Sequence, residues 1–379
     1  MTGQALRRRD ATATRGDAAG GGAAGGYLAG KTAPVLLLAP SRGLLGGIER
    51  YVQTVESAFR DRGVAHLRLD LARPGPAGHR ALLTEAAAAL AGPGHPARVI
   101  VAHRALLPVA ALLARMRPVS GISVICHGID VWGFRAGLRW QLESRLMRRP
   151  GVRIVAVSSF TAGSLFPGGQ ATILPPGLAR DWFGELVSAA AVDRGARAGL
   201  ELMTAFRLGA WRDKGLAQLT SAITSLRRAD VRLTVCGSGE PPADLLAHIG
   251  ALPWCRLRPG LADHDLAAQF AASDLFVLAS RARGGRQPCG EGFGLVLLEA
   301  QVAGTPVVGP AHGGSPDAYL DGVTGATPRD ESVAALAELL DELLRQPAGL
   351  AGMGSCGARW ARARFAPDRY AALAVDRLL

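Results

Sequence analysis

Short unbroken apolar runs alternate along this chain with longer segments whose apolar positions recur every three or four residues. Pro34–Leu38, Leu67–Leu71, Val99–Ala102, Ile122–Cys126 and Ile154–Val157 read as strands. Helices are predicted between them at Ile48–Arg60, Ala81–Ala91, Leu106–Arg117, Leu138–Arg149 and from Ser159 to about Phe166. The alternation resumes with strands at Leu202–Phe206, Val231–Val235, Leu257–Leu261, Leu275–Leu278 and Pro306–Val308, and with helices from Leu216, at Leu295–Ala303 and at Ser332–Arg345. Strands that are apolar throughout, each followed by a helix, belong to parallel sheets covered on both faces. The fold class is therefore α/β.

The stretch Glu291-Gly-Phe-Gly-Leu-Val-Leu-Leu-Glu299 lies between one of these strands and the next and ends in a helix stopped by Gly304. Such a loop at the carboxyl end of a strand is where open α/β sheets bind ligands. Gly292 and Gly294 let backbone approach a bound group, and the N–H groups at the helix start suit an anion such as a diphosphate. Carboxylates accept hydrogen bonds from hydroxyls, so Glu291 and Glu299 together suit a ligand that carries both phosphate and sugar. The plainer reading leaves Glu291 favoured by the helix dipole and Glu299 on a solvated face.

Other candidates sit at equivalent places. Gly46-Gly47 lies between the first strand and its helix, where it serves either a phosphate or a tight turn. His127 ends an apolar strand and is followed at once by glycine, as a site residue or as a structural histidine. Arg207, Arg212 and Lys214 follow the strand at Leu202–Phe206, where cations suit a diphosphate whose charge grows as a sugar departs. Cys236-Gly237-Ser-Gly239 is another tight turn after a strand.

Composition narrows the picture. With 379 residues, 49% of them apolar, two cores and two domains are expected. The five cysteines are scattered with no CxxC pair, which fits neither a disulfide framework nor a zinc site. The formal charge of +12 invites a nucleic-acid or membrane partner. Only Lys31 and Lys214 are lysines, however, so the excess is read as a coding preference for arginine, and Lys214 as a position that wants a compact ammonium. Residues 1 to about 30 carry almost no large apolar side chain and are expected to be a disordered tail. Arg7-Arg8-Arg9 has no apolar run after it, so export is not expected, and Ala105–Ala114 is too short to span a bilayer.

Glu291 to Glu299 with Gly292-Phe293-Gly294 inside it, then Gly304-Thr-Pro-Val-Val308 and Gly313-Gly314-Ser-Pro-Asp317, resemble the donor-site signature of family four of the retaining glycosyltransferases, also called glycosyl transferases group 1. Gly46-Gly-Ile-Glu-Arg50 resembles the family's Gly-Gly that faces the donor diphosphate. His127-Gly-Ile-Asp130-Val-Trp132 resembles the stretch whose histidine assists at the reaction centre. Arg207 and Lys214-Gly215 resemble its Arg…Lys-Gly pair at a longer spacing that makes Arg212 a rival of Arg207. Gly237 matches its Gly-x-Gly, and Gly260-Leu261 the backbone that meets the base.

The resemblance covers residues 34 to 375. It implies the GT-B architecture: two Rossmann-like domains whose parallel sheets face a deep cleft, with a C-terminal helix crossing back to the first domain. The expected boundaries are a first, acceptor domain at 31–180, a linker at 181–201, a donor domain at 202–352 and returning helices at 353–379. The implied activity is transfer of a hexose from a nucleotide-diphosphate sugar, UDP- or GDP-linked first, to an acceptor hydroxyl, with retention and without a metal or a tightly bound cofactor. His127 and Glu291 are then the catalytic candidates. Gly46, Gly47, Arg207, Lys214 and Gly237, with Leu261, Gly292, Phe293, Gly294, Leu295 and Glu299, would bind the donor.

The acceptor, a glycan, a lipid-linked sugar or a small metabolite, is not encoded in any motif. The basic amphipathic segment Leu138–Arg149 suits a solvated face or an anionic membrane, so the expected location is cytoplasmic, with contact at the inner membrane face as an option. A phosphorylase or epimerase of the same architecture is the alternative reading. A nucleic-acid binder is a second and lacks a recognition motif. A dinucleotide dehydrogenase lacks the G-x-G-x-x-G fingerprint after the first strand.

Overall fold

The computed structural model describes residues 35–40, 46–91, 97–128, 137–165, 170–192, 195, 198–284 and 289–379. The expected N-terminal tail, Asp130 and Trp132, and residues 285–288 of the loop entering Glu291 lie outside the described residues.

Among the described residues, twelve strands form two sheets of six, parallel throughout. The first contains β1 (Val35–Ala39), β2 (His66–Asp70), β3 (Ala97–Val101), β4 (Val119–Cys126), β5 (Val152–Ala156) and β6 (Thr172–Ile173), in the order β2-β1-β3-β4-β5-β6. The second contains β7 (Leu200–Ala205), β8 (Val231–Gly237), β9 (Cys255–Pro259), β10 (Leu275–Val277), β11 (Val307–Val308) and β12 (Gly325–Ala326), in the order β12-β11-β10-β7-β8-β9. Read from β9, that is the doubly wound order in which the chain reverses direction between its first and fourth strands. The switch point lies between β7 and β10, and the crevice beyond their carboxyl ends is where such a sheet receives a ligand.

Burial explains the apolar runs. Leu36, Leu37 and Leu38 of β1 and Leu275, Phe276 and Val277 of β10 are shut off from solvent on both faces. One core cluster runs through both halves, joining Tyr51 and Val155 to Phe276, Phe293 and Tyr370, and each sheet has a further cluster on its outer face.

Two segments differ from the sequence expectation. The helix predicted at Ala81–Ala91 spans Gly75–Ala89, so it begins inside the proline- and glycine-rich stretch that precedes Ala81. Proline is tolerated in a first turn because its missing N–H has no intrahelical partner there. The segment expected to join the halves carries the helix Arg180–Ala190, which packs on the helices Asp263–Ala271 and Leu295–Val302 of the second half through Trp182 and Leu186.

The chain ends with the helices Pro347–Arg364 and Pro367–Leu378. The former packs on the helix Leu295–Val302, and the latter on Gly47–Asp61 of the first half. Ser123 Oγ of β4 donates to the Leu378 carbonyl at 2.7 Å, and Arg153 of β5 to the carbonyls of Asp376 and Arg377 at 3.2 and 3.1 Å. The halves also meet directly. Ser159 donates its N–H and its hydroxyl to Asp317 at 2.6 and 2.7 Å. A Cβ on Gly292 would lie 1.9 Å from the His127 carbonyl oxygen, so only glycine allows this contact between the Glu291 loop and β4.

Candidate active site

A cavity of about 870 Å³ opens between the halves, at the carboxyl ends of β1 and β7. Nine of the sequence candidates line it: Gly46 and Gly47 from the first half, and Arg207, Lys214, Gly237, Leu261, Glu291, Leu295 and Glu299 from the second.

Lys214 and Glu291 meet there. Lys214 Nζ lies 2.7 Å from Glu291 Oε2, which also accepts from Ser280 Oγ at 3.2 Å. The turn that presents Lys214 depends on Gly215, at φ 69°, where a Cβ would sit 1.8 Å from the Ala279 carbonyl oxygen. No L side chain fits that approach. Glycine at 237 answers a similar crowding, 2.1 Å from the Phe206 carbonyl oxygen, and the Gly237 carbonyl accepts from Gly260 N at 2.8 Å beside Leu261.

Arg207 reaches across the cleft: a Cβ on Gly46 would be 3.8 Å from Arg207 Nη1. Gly46 N donates to Glu49 Oε2 at 3.1 Å and begins the helix Gly47–Asp61. Arg212, the rival candidate, is engaged elsewhere, ion-paired with Asp244 and lying over the Trp211 ring at 4.6 Å.

Glu299 is buried, not on a solvated face. Its Oε1 accepts from Trp182 Nε1 at 2.9 Å and lies 3.6 Å from Arg50 Nη1. Arg50 also pairs with Asp263 at 3.2 Å and lies over the Trp182 ring at 5.1 Å. Burial pushes the Glu299 carboxyl above its ordinary value, while the Arg50 charge and the indole hydrogen bond pull it back.

The remaining candidates stand apart from the cavity lining. Gly294, at φ 82°, is the left-handed residue that opens the helix Leu295–Val302, whose first residues, Leu295 and Val296, line the cavity. Phe293 is buried against Phe365, with ring centroids 6.2 Å apart, so its side chain packs the core. Gly292 lies against the His127 backbone. His127 Nε2 lies 2.8 Å from the Ala102 carbonyl, which fixes the proton on that nitrogen. Its ring meets Tyr51 edge-on at 5.2 Å and stacks at 6.4 Å on His103, which does line the cavity.

Trp182, Arg50, Asp263 and Ser280 were not foreseen. Arg50 lay inside a stretch already singled out, and Asp263 two residues beyond Gly260-Leu261. Trp182 lay in the presumed linker, where the apolar spacing Trp182, Phe183, Leu186, Val187 was the available helical signal. The cleft brings together Arg207, Lys214, the start of the helix Leu295–Val302 and the buried Glu299 carboxylate. That combination suits a ligand with a diphosphate and neighbouring hydroxyls.

Comparison with known proteins agrees with this geometry. The family model described as Glycosyl transferases group 1 matches residues 201–346. A GDP-mannose-dependent alpha-(1-6)-phosphatidylinositol monomannoside mannosyltransferase of Mycobacterium tuberculosis is 31% identical over 297 residues, covering 72% of this chain and 73% of that protein. A D-inositol 3-phosphate glycosyltransferase of Frankia alni is 35% identical over 168 residues, 37% of this chain and 39% of the relative. Among solved structures, the sucrose-phosphate synthase of Thermosynechococcus elongatus superposes with a TM-score of 0.72 at 18% identity, covering 91% of this chain and 98% of that one. Anabaena HepE in complex with UDP and glucose gives 0.69 at 18% identity, covering 90% and 98%. These likenesses carry the GT-B fold. The chain belongs to the glycosyl transferases group 1 and is a glycosyltransferase that uses nucleotide sugars.

Proposed function

We propose that the chain transfers mannose from GDP-mannose to a hydroxyl of an inositol-containing acceptor, with retention at the anomeric carbon and without a divalent cation. The observation that carries the reading is the meeting of Lys214, Glu291 and the helix start at Leu295 in one cavity at the β7/β10 switch point, with Arg207 and Gly46 facing each other across it. The activities named for the relatives, GDP-mannose-dependent transfer to a phosphatidylinositol mannoside and glycosyl transfer to D-inositol 3-phosphate, support this choice of donor and acceptor.

In this reading Lys214, Arg207 and the helix N-terminus stabilise the departing diphosphate, the charge neutralisation that a metal ion supplies elsewhere. Glu291 and the Phe293-Gly294 backbone orient sugar hydroxyls, and Glu299 holds the ribose. His127 contributes near the anomeric carbon through the wall it forms with His103. The bond from the anomeric carbon to the diphosphate oxygen breaks as the acceptor oxygen bonds that carbon from the same face. The acceptor proton passes to the diphosphate, so charge and atoms balance. Lys214 exchanges Glu291 for phosphate when the donor enters, since both bind the same ammonium and only one position is central.

Among the described residues no helix is long and apolar enough to cross a membrane. The helix Leu138–Met147 exposes Leu138 and Leu142 beside Arg145, a face that suits an anionic lipid surface.

The deciding experiment is thermal stabilisation by a panel of UDP-, GDP-, ADP- and dTDP-sugars, with Lys214→Ala and Glu299→Ala alongside the natural chain. A shift with GDP-mannose that both substitutions abolish supports the reading, because a ligand that binds the folded state must stabilise it. A folded chain that responds to no nucleotide sugar refutes it.

A further inference from the structure

The Glu299 carboxylate is held from one side only. Both of its partners, Trp182 Nε1 at 2.9 Å and Arg50 Nη1 at 3.6 Å, meet Oε1, and Oε2 takes no hydrogen bond among the described residues. Glu299 is 2% exposed and lines the cavity, so what remains of its surface is turned to the cleft. A buried carboxylate with half of its acceptor capacity unused costs stability unless a ligand takes that half.

The need of Trp182 for a partner does not account for the carboxylate. A buried indole is satisfied by a backbone carbonyl without burying a charge, and this fold leaves the buried Trp211 Nε1 with no partner among the described residues. The dependence runs the other way. Burial pushes the Glu299 carboxyl up and the nearby Asp263 adds to this, while the Arg50 charge and the Trp182 N–H favour the ionised form, which accepts from hydroxyls.

Trp182 is also built not to move. It stands in the first turn of the helix Arg180–Ala190, which packs on Leu295–Val302, the helix that carries Glu299, and on Asp263–Ala271. The indole is buried, with the Arg50 guanidinium 5.1 Å from its centroid, and it does not itself line the cavity. A fixed N–H sets the plane of the carboxylate it binds.

We infer that Trp182 is a positioning residue of the donor site: with Arg50 it holds Glu299 by Oε1 and so turns Oε2 to the ribose hydroxyls. The inference rests on the reading of Glu299 as the ribose carboxylate and names the groups that aim it. The ribose is remote from the anomeric carbon, so the effect belongs to nucleotide binding and not to the chemical step.

The test is titration of the full chain with GDP and UDP, each beside its 2′-deoxy and 3′-deoxy forms. The natural chain is expected to bind a ribonucleotide about tenfold or more tightly than at least one of its deoxy forms, as befits a hydrogen bond to a charged acceptor. Trp182→Phe keeps a ring and removes the N–H. It should shrink that preference below about threefold, leave affinity for the deoxy form nearly unchanged, and raise KM for the nucleotide sugar with kcat within about threefold. In a Glu299→Ala background the same substitution should add nothing, because both act through one carboxylate. Arg50→Met, at a part-exposed site, should remove part of the preference and keeps the test open if Trp182→Phe does not fold. An undiminished preference in every folded variant overturns the positioning role, as does an equal loss of ribose and deoxyribose forms, which marks a merely structural tryptophan. A natural chain that binds nucleotide without distinguishing ribose from either deoxy form overturns the ribose assignment of Glu299 and the inference with it. One that binds neither nucleotide overturns the donor reading as well.

Discussion

The two walls of the cleft hold their polar groups differently. Toward the second half, cations come with carboxylates: Lys214 with Glu291, and Arg50, reaching over from the first half, with Glu299 and Asp263. Toward the first half, the imidazoles are fixed by backbone, His79 by the Gly75 carbonyl and His103 by the Ala105 amide. A carboxylate paired with an ammonium keeps the charge of an empty site balanced and is displaced by a stronger anion. Backbone hydrogen bonds instead set a ring's direction without neutralising anything. One wall is arranged to exchange partners, and the imidazoles of the other present fixed donors, while Arg139 beside them is paired with Glu143.

Removing the central cation should break the comparison most severely. Lys214→Ala is expected to lower kcat by about 10²–10³-fold, the range for losing one preorganised charge contact to a developing anion, as read by steady-state transfer from the nucleotide sugar. The turn behind it should matter next. Gly215→Ala places a Cβ 1.8 Å from the Ala279 carbonyl oxygen in a left-handed conformation. It should cost about 2–3 kcal/mol in denaturant unfolding, and an unchanged unfolding midpoint would show that the strand ends yield more than the packing implies.

Glu299 sharpens the comparison because it is the buried member of the exchanging wall. Glu299→Ala should weaken nucleotide binding by about ten- to a hundredfold in calorimetric titration and leave Trp182 Nε1 without its acceptor. The free protein's pH dependence gives a gentler test. The folded-state carboxyl is raised by burial, so its stabilising contribution is complete below the unfolded carboxylate range and fades as pH rises through the raised value. From about pH 4 upward, the natural chain should lose melting temperature relative to Glu299→Gln, whose side chain does not titrate. The smallest effect is expected at Arg212. It is committed to Asp244 and Trp211 on the surface, so Arg212→Ala should change kcat/KM by less than about threefold, where Arg207→Ala should cost more.

The fold was legible wherever burial left its mark on the sequence. β1 and β10 are apolar from end to end because solvent reaches neither face, and the glycine-rich loops announce themselves because crowding at Gly215, Gly237 and Gly292 admits no other residue. What could not be read were elements whose local chemistry points elsewhere. Pro74, Gly75 and Pro76 look like a turn until the helix they start is seen. The pairing of Trp182 with Glu299 joins residues 117 positions apart, and nothing local to either predicts it. The donor loop was legible because its chemistry is packed into one stretch. The opposite wall was not, since His79, His103 and Arg139 come from three separate elements.

The returning C-terminal chain has a mechanical consequence. Polypeptide passes between the halves near Gly177 and again near Phe365, and the two passages touch: a Cβ on Gly177 would lie 2.5 Å from the ring of Tyr370. Two bodies held at neighbouring crossings resist sliding and separation far more than they resist turning. The compliant motion is then a single swing about the line through the crossings, with the flat face of Tyr370 as its bearing.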